Sequence, residues 1–204
     1  MIITDMLVSL SSFITGAIVQ LGYLGIFVTM AMESAALPIP SEIIMPFAGY
    51  AVFLGRFDFI TVLIAGTLGN LVGSVILYYI GLKGGRPLLL RYGRYALVSE
   101  KEVKAAEKWF KKFGGKVIFF SRMLPVVRTF ISLPAGAARM DFRRFCFYTV
   151  LGSVPWNAAL LYLGIALGER WQEIESLLRV FDIAVVAGAV IVVVYLLSKK
   201  KPRR

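Results

Sequence analysis

Two glutamates and two arginines stand in stretches otherwise apolar enough for a bilayer interior. Glu33 and Glu42 fall in "ESAALPIPSEIIMPFAGYAVFLG" (33–55), and Arg122 and Arg128 in "FFSRMLPVVRTFISLPAGAARM" (119–140). A charge at the bilayer centre costs from about 2.5 kcal/mol on insertion scales to more than about 10 kcal/mol in simulations. Four such groups persist only where they line a hydrated cavity or pair with one another. Arginine stays protonated, and its planar fork matches a carboxylate or a phosphate. A carboxyl in a partly dry site can take up and release a proton. Arg122 and Arg128 are therefore expected to bind an anion, and Glu33 and Glu42 to carry protons, a set of groups that suits coupled transport. The plainer alternative is that Glu–Arg pairs tie two segments together, although buried ion pairs are weak stabilisers.

Spacing alone would not bring these groups together. On an unbroken helix of 3.6 residues per turn, Glu33 and Glu42 point in opposite directions, and Arg122 and Arg128 diverge by well over a right angle. Pro38 and Pro40 lie between the acids, and Pro125 between the bases. Proline removes a helical hydrogen bond and clashes with the preceding turn, so these are the predicted breaks that turn each pair toward one cavity. Arms of about ten residues are about 15 Å long, half of a hydrocarbon core about 30 Å thick. Re-entrant hairpins are expected over about 33–55 and 117–138.

The rest of the chain has to hold these hairpins. Of its 204 residues 58% are hydrophobic, and mean hydropathy is +0.77, against about half apolar in a soluble domain. The composition predicts an all-α polytopic membrane protein with one membrane domain over 1–198 and a basic tail over 199–204. Spans are expected at 13–32, 59–82, 145–167 and 183–198. The start, "MIITDMLVSLSS", lacks a basic region before its apolar run and is read as retained structure. Net charge is +11; residues 1–55 hold no Lys or Arg, 83–116 hold ten, and the tail holds five. That asymmetry follows the positive-inside rule rather than nucleic-acid binding, and puts both termini in the cytoplasm. The two hairpins would then dip from opposite faces, as in inverted-repeat transporters.

"SEKEVKAAEKWFKKFGG" has Ser99 and Glu102 in capping-box spacing and Gly114 as a C-cap. It predicts an amphipathic helix over 99–113, lying in the interface or packed on the protein. Gly69 and Gly73 suit close helix packing, and Asn70 and Asn157 a helix–helix hydrogen bond. Pro155 should kink its span. Asp141, Arg139, Arg143 and Arg144 read as topology anchors, and Cys146 as a small apolar filler. The chain has no histidine, which excludes His-ligated zinc proteases, Ser–His hydrolases and phosphohistidine phosphatases. No metal cluster stands out by spacing. The reading is a transporter rather than an enzyme, with no cofactor and no metal.

At the charged segments the chain resembles a known family. "FFSRMLPVVRTFISLPAGAARMDFRRFCFYTVLGSVPWN" has the pattern F-x-R-x-x-P-x-x-R-T, then P-A-G-x-x-x-M, then G-x-x-x-W, and resembles the DedA, SNARE-associated or VTT-domain proteins. "ESAALPIPSEIIMPFAGY" resembles that family's first hairpin, and "GTLGNLVGSVILYYIGLKGG" its glycine-rich span. The likeness covers about residues 20–170. It implies an inner-membrane protein with two opposed re-entrant hairpins. It also implies translocation of a phospholipid or a polyprenyl phosphate such as undecaprenyl phosphate, dependent on the proton-motive force. The family's essential arginines fall on Arg122 and Arg128, and its first membrane acid on Glu33. Its second acid often follows L-P-G-D; here the chain reads P-I-P-S-E, with Glu42 in that role. Membrane lipids and protons, or another cation, are the partners implied, and a homo-oligomer stays open. Three rival readings stand beside this one: a proton-coupled cation or drug exporter, a membrane enzyme acting on lipid phosphates, against which the lack of histidine and of a metal cluster counts, and a membrane scaffold that transports nothing.

Overall fold

The fold is described from a computed structural model, over residues 16, 18–37, 39–92 and 113–168. The described residues are helical, without strands. The elements are α1 (Tyr23–Ser34), α2 (Ser41–Phe53), α3 (Phe59–Tyr92), α4 (Lys116–Ser121), α5 (Pro125–Phe130), α6 (Ser132–Ala137) and α7 (Phe142–Ala166). Two helical stretches, Phe59–Gly84 and Phe142–Ala166, are long and apolar enough to cross a bilayer.

Local sequence sets the boundaries. Gly22, at φ 61°, separates α1 from the helical residues before it. Ala36 turns the chain out of α1 at φ 68°, and Pro40, in extended geometry, opens α2. Leu124 is extended, as a residue before proline prefers, and Pro125 occupies the first turn of α5, where its missing N–H costs nothing. Asp58 caps α3: its Oδ2 accepts from the Thr61 amide at 2.8 Å and the Thr61 hydroxyl at 2.9 Å. Asp141 caps α7, its Oδ1 accepting from the Arg144 amide at 2.9 Å.

The bonds from Thr61 hold the Asp58 carboxyl below the usual aspartate range. A depressed pKa stabilises the fold above the unfolded-state value, and that contribution is lost as pH falls through the folded one. Thermal stability should therefore drop on acidification, and less so in Asp58→Asn, as read from melting curves in detergent between pH 6 and 3.

The expected elements shift in three places. The stretch expected to span at 13–32 is interrupted at Gly22, and α1 runs from Tyr23 to Ser34, ahead of the start of α2 at Ser41. The 83–116 segment is not polar linker from its start, since α3 continues through Tyr92. The 117–138 segment forms three short helices rather than two arms. Pro38, the 99–112 part of the amphipathic helix, the 183–198 span and the basic tail lie outside the described residues. Gly114 does have the positive φ, 55°, expected of a C-cap.

Helix α3 packs on α1 and α6, while α7 packs on α2 and α4; α3 and α7 also touch each other. Glycines make these crossings. A Cβ at Gly69 or Gly73 would meet the Phe27 or Ala31 carbonyl of α1; one at Gly152 would meet the Phe119 carbonyl and Arg122. Gly81 faces the Leu133 carbonyl and Gly136 faces that of Tyr78, while Gly164 faces the Pro46 carbonyl and Gly49 that of Leu161. The main crossings correspond in pairs: α1 on α3 answers to α4 on α7, and α2 on α7 to α6 on α3. Gly73→Val would drive its side chain into the Ala31 carbonyl and, at 2.8 Å, into Ser34 Cβ. We expect a fall in melting temperature corresponding to about 3 kcal/mol or more, the upper part of the overpacking range.

Polarity is arranged inside out. Ile60, Ile64, Leu68, Val72, Ile76 and Ile80, four apart on α3, are each 41–57% exposed, whereas Thr67, Asn70 and Ser74 on its inner side are at most 5% exposed. Such a continuous apolar outer stripe suits lipid rather than water. Two apolar clusters, one around Ile26, Met30, Ile44, Met45 and Leu161, the other around Tyr78, Ile118, Ala135 and Phe145, flank the polar centre.

Candidate functional site

The two breaks bring the charged residues together. Glu33 ends α1, Ser41 and Glu42 begin α2, Arg122 follows α4, and Arg128 lies in α5. Arg128 is 4% exposed. Its Nη2 donates to Glu33 Oε1 at 2.8 Å and to Ser41 Oγ, and lies 3.9 Å from Glu42 Oε1. Its guanidinium carbon stands 5.6 Å from the centre of the Trp156 ring, within cation–π range. Thr129 Oγ1 reaches Glu33 Oε1 at 3.4 Å. Glu33 is buried, whereas the Glu42 side chain keeps 20% of its surface exposed.

Arg122 is held differently. It is 3% exposed, and its Nη2 donates to Ser132 Oγ at 2.9 Å and Thr149 Oγ1 at 3.4 Å. Among the described residues no carboxylate comes within ion-pair distance of it. A fixed cation buried among neutral hydroxyls is poorly compensated. Among the described residues, Nε of both arginines and Nε1 of Trp156 are buried N–H groups without an acceptor, while Glu42 Oε1 and the Ser74 and Ser153 hydroxyls are buried oxygens without a hydrogen bond. Each orphan donor costs about 1–3 kcal/mol, so an acceptor brought to the two guanidiniums is favourable. The residues suit an anion.

A polar chain leads away from Glu33. Ser34 Oγ lies 3.0 Å from Glu33 Oε2 and 2.9 Å from Asn70 Oδ1. Asn70 Nδ2 donates to Asn157 Oδ1 at 3.4 Å, and Asn157 Nδ2 to Thr67 Oγ1 at 3.3 Å. Asn70 and Asn157 thus bridge α3 and α7, as expected of them.

The VTT domain family profile matches residues 39–166 of this chain. The chain belongs to the VTT-domain (DedA) family. Among its relatives is Undecaprenyl phosphate transporter A of Bacillus subtilis (strain 168), 40% identical over 194 residues, covering 95% of this chain and 96% of that protein. The protein of the same name from Staphylococcus aureus (strain NCTC 8325 / PS 47) is 32% identical and covers 89% of this chain and 92% of its own length. The uncharacterized membrane protein YkoX of B. subtilis is 38% identical over 91% of this chain and 82% of that protein. No solved structure matches.

Glu33, which precedes the matched region, converges with Glu42 and Arg128 inside it, and Arg122 stands among hydroxyls on α6 and α7. Pro40 and Pro125 sit at the two breaks. Sequence reasoning missed Ser34, Ser41, Thr129, Ser132, Thr149 and Trp156. A usable signal existed for some of them: Ser34 follows Glu33, Ser41 follows Pro40, and Thr129 follows Arg128. Trp156 closes the G-x-x-x-W element of the family pattern, which gave it no role, and nothing in the local sequence of Thr149 points to Arg122; tertiary packing of α7 brings both there.

Proposed function

We propose that this protein translocates a lipid phosphate, undecaprenyl phosphate or a phospholipid, between the leaflets of the bacterial inner membrane, driven by the proton-motive force. The observation that carries this reading is the pair of buried guanidiniums, each with an Nε that has no acceptor among the described residues, with Arg122 held by the Ser132 and Thr149 hydroxyls. A phosphate monoester supplies anionic acceptor oxygens of the right geometry. The printed names of two relatives support the same substrate class.

In this reading the breaks at 35–40 and 122–124 are the tips of two re-entrant hairpins dipping from opposite faces, with both termini cytoplasmic. The exchangeable packing of α1–α3 and α4–α7 favours such an inverted repeat. Phosphate and ionised Glu33 compete for the same Arg128 Nη2. A proton on Glu33 weakens its hold on Arg128 and releases the guanidinium to the phosphate, while Glu42, at 3.9 Å, balances the arginine after the lipid leaves. Proton and lipid would thus load together. Paired arginines would repel the substrate of a cation exporter.

The test is flux of labelled undecaprenyl phosphate in proteoliposomes, with and without a pH gradient. The wild type should be stimulated by the gradient. Glu33→Gln, which mimics the protonated acid, should bind the lipid at least as well as the wild type but lose gradient stimulation. Equal stimulation in both would remove Glu33 from coupling; no flux in either condition for the wild type would sink the translocator reading.

A further inference from the structure

Trp156 is not explained by packing alone. It lies on α7, its ring 5.6 Å from the Arg128 guanidinium carbon, and its Nε1 is buried with no acceptor. Two other N–H groups share that condition, Arg122 Nε and Arg128 Nε, both on side chains at most 4% exposed. An indole N–H that only had to fill space would be a cost of about 1–3 kcal/mol that phenylalanine avoids. Indole normally finds a partner when buried. The ring also gives Arg128 an aromatic wall that fixes the plane of its fork.

We infer that Trp156 contacts the substrate: its indole N–H donates to a phosphate oxygen of the lipid headgroup bound at Arg122 and Arg128, while its ring orients Arg128. The inference rests on the lipid-phosphate reading and adds a neutral donor to it. A neutral donor has a distinct use. It binds an oxygen without adding a third fixed positive charge to the site, so the anion is recognised but not trapped. Arg128 then has the carboxylates of Glu33 and Glu42 on one side and the indole on another. The headgroup is the group that completes the set.

The experiment compares Trp156→Phe, which keeps an aromatic wall and removes the donor, with the wild type. The probes are undecaprenyl phosphate, undecaprenol and inorganic phosphate, with full-length protein in detergent. Loss of a hydrogen bond to a charged group, about 1.5–3 kcal/mol, predicts at least about tenfold weaker binding of undecaprenyl phosphate. Binding of undecaprenol should change less than about twofold by the same conversion. Inorganic phosphate should compete weakly in the wild type, and undecaprenyl phosphate strongly, which assigns the site to a lipid headgroup; stronger competition by free phosphate would overturn the lipid assignment. If the wild type prefers the phosphate over the alcohol but Trp156→Phe binds undecaprenyl phosphate within about twofold of it, the donor role is refuted and the phosphate site stands. If the wild type binds phosphate and alcohol alike, the phosphate reading fails and this inference with it. Should Trp156→Phe misfold, 5-fluorotryptophan in a Trp109→Phe/Trp171→Phe background leaves Trp156 as the single label. Its fluorine resonance should shift with undecaprenyl phosphate and not with undecaprenol; an unmoved resonance at saturation overturns the contact.

Discussion

Arg128→Lys should reduce lipid-phosphate transport by about a hundredfold while the protein stays folded. The ammonium of lysine keeps the charge, so it can still face Glu33 and Ser41, the partners of Nη2 in the wild type. It cannot also present the unpartnered Nε, nor lie as a plane against Trp156. Removing two charge-assisted interactions with the headgroup, at about 1.5 kcal/mol each, makes about 3 kcal/mol, near a hundredfold. Flux in proteoliposomes and melting temperature in detergent are to be measured side by side. Transport close to wild type would show that only a point charge is needed at this position. A collapsed melting temperature would instead make the residue structural.

The second large effect concerns the ion pair as a pair. Glu33→Leu alone should destabilise the fold by about 3–5 kcal/mol, because it strips the main counter-ion from a buried arginine. Glu42, at 3.9 Å and not hydrogen-bonded to Arg128, compensates only part of that loss. Adding Arg128→Met removes the stranded charge, and melting temperature should return to within a few degrees of the wild type. Transport should not return. Recovery of both stability and transport in the double variant would leave the charges as a tie between α1 and α5, the scaffold reading. Recovery of stability without transport separates the two roles, since an apolar pair can hold two helices together but cannot bind a phosphate.

Much of this was legible in the residues. Four charges in apolar stretches announced a buried polar centre, because lipid admits no other arrangement. Pro40 and Pro125 announced where the chain turns, since proline constrains its own residue and the one before it. Gly69, Gly73, Asn70 and Asn157 announced where helices touch. Helix ends were less legible. Residues 83–92 carry charge, two glycines and Pro87, yet α3 runs on to Tyr92; neither hydropathy nor helix propensity predicts that continuation. The start of α1 was hard to read because "GYLGIFVTMAMES" is as apolar as any span, and Gly22 is the local signal that a helix begins there. The different settings of the two arginines, one paired with a carboxylate and the other held by hydroxyls, depend on how α6 and α7 approach α4. No pattern along the chain contains that.

The glycine crossings set a limit on how such a molecule can move. At each of them one backbone rests directly on a carbonyl of another, with no layer of flexible side chains between to absorb a slide. Shear between neighbouring helices would have to lift main chain off main chain at several places at once. The glycine contacts reach the joints at Ala35–Pro40 and Arg122–Leu124 only at their first residues, Ala35 and Arg122; beyond them stand Ala36, at φ 68°, and the extended Leu124. If the protein moves lipid as proposed, these two joints are where a stiff frame can bend, and stiffening either should slow transport without loosening the fold.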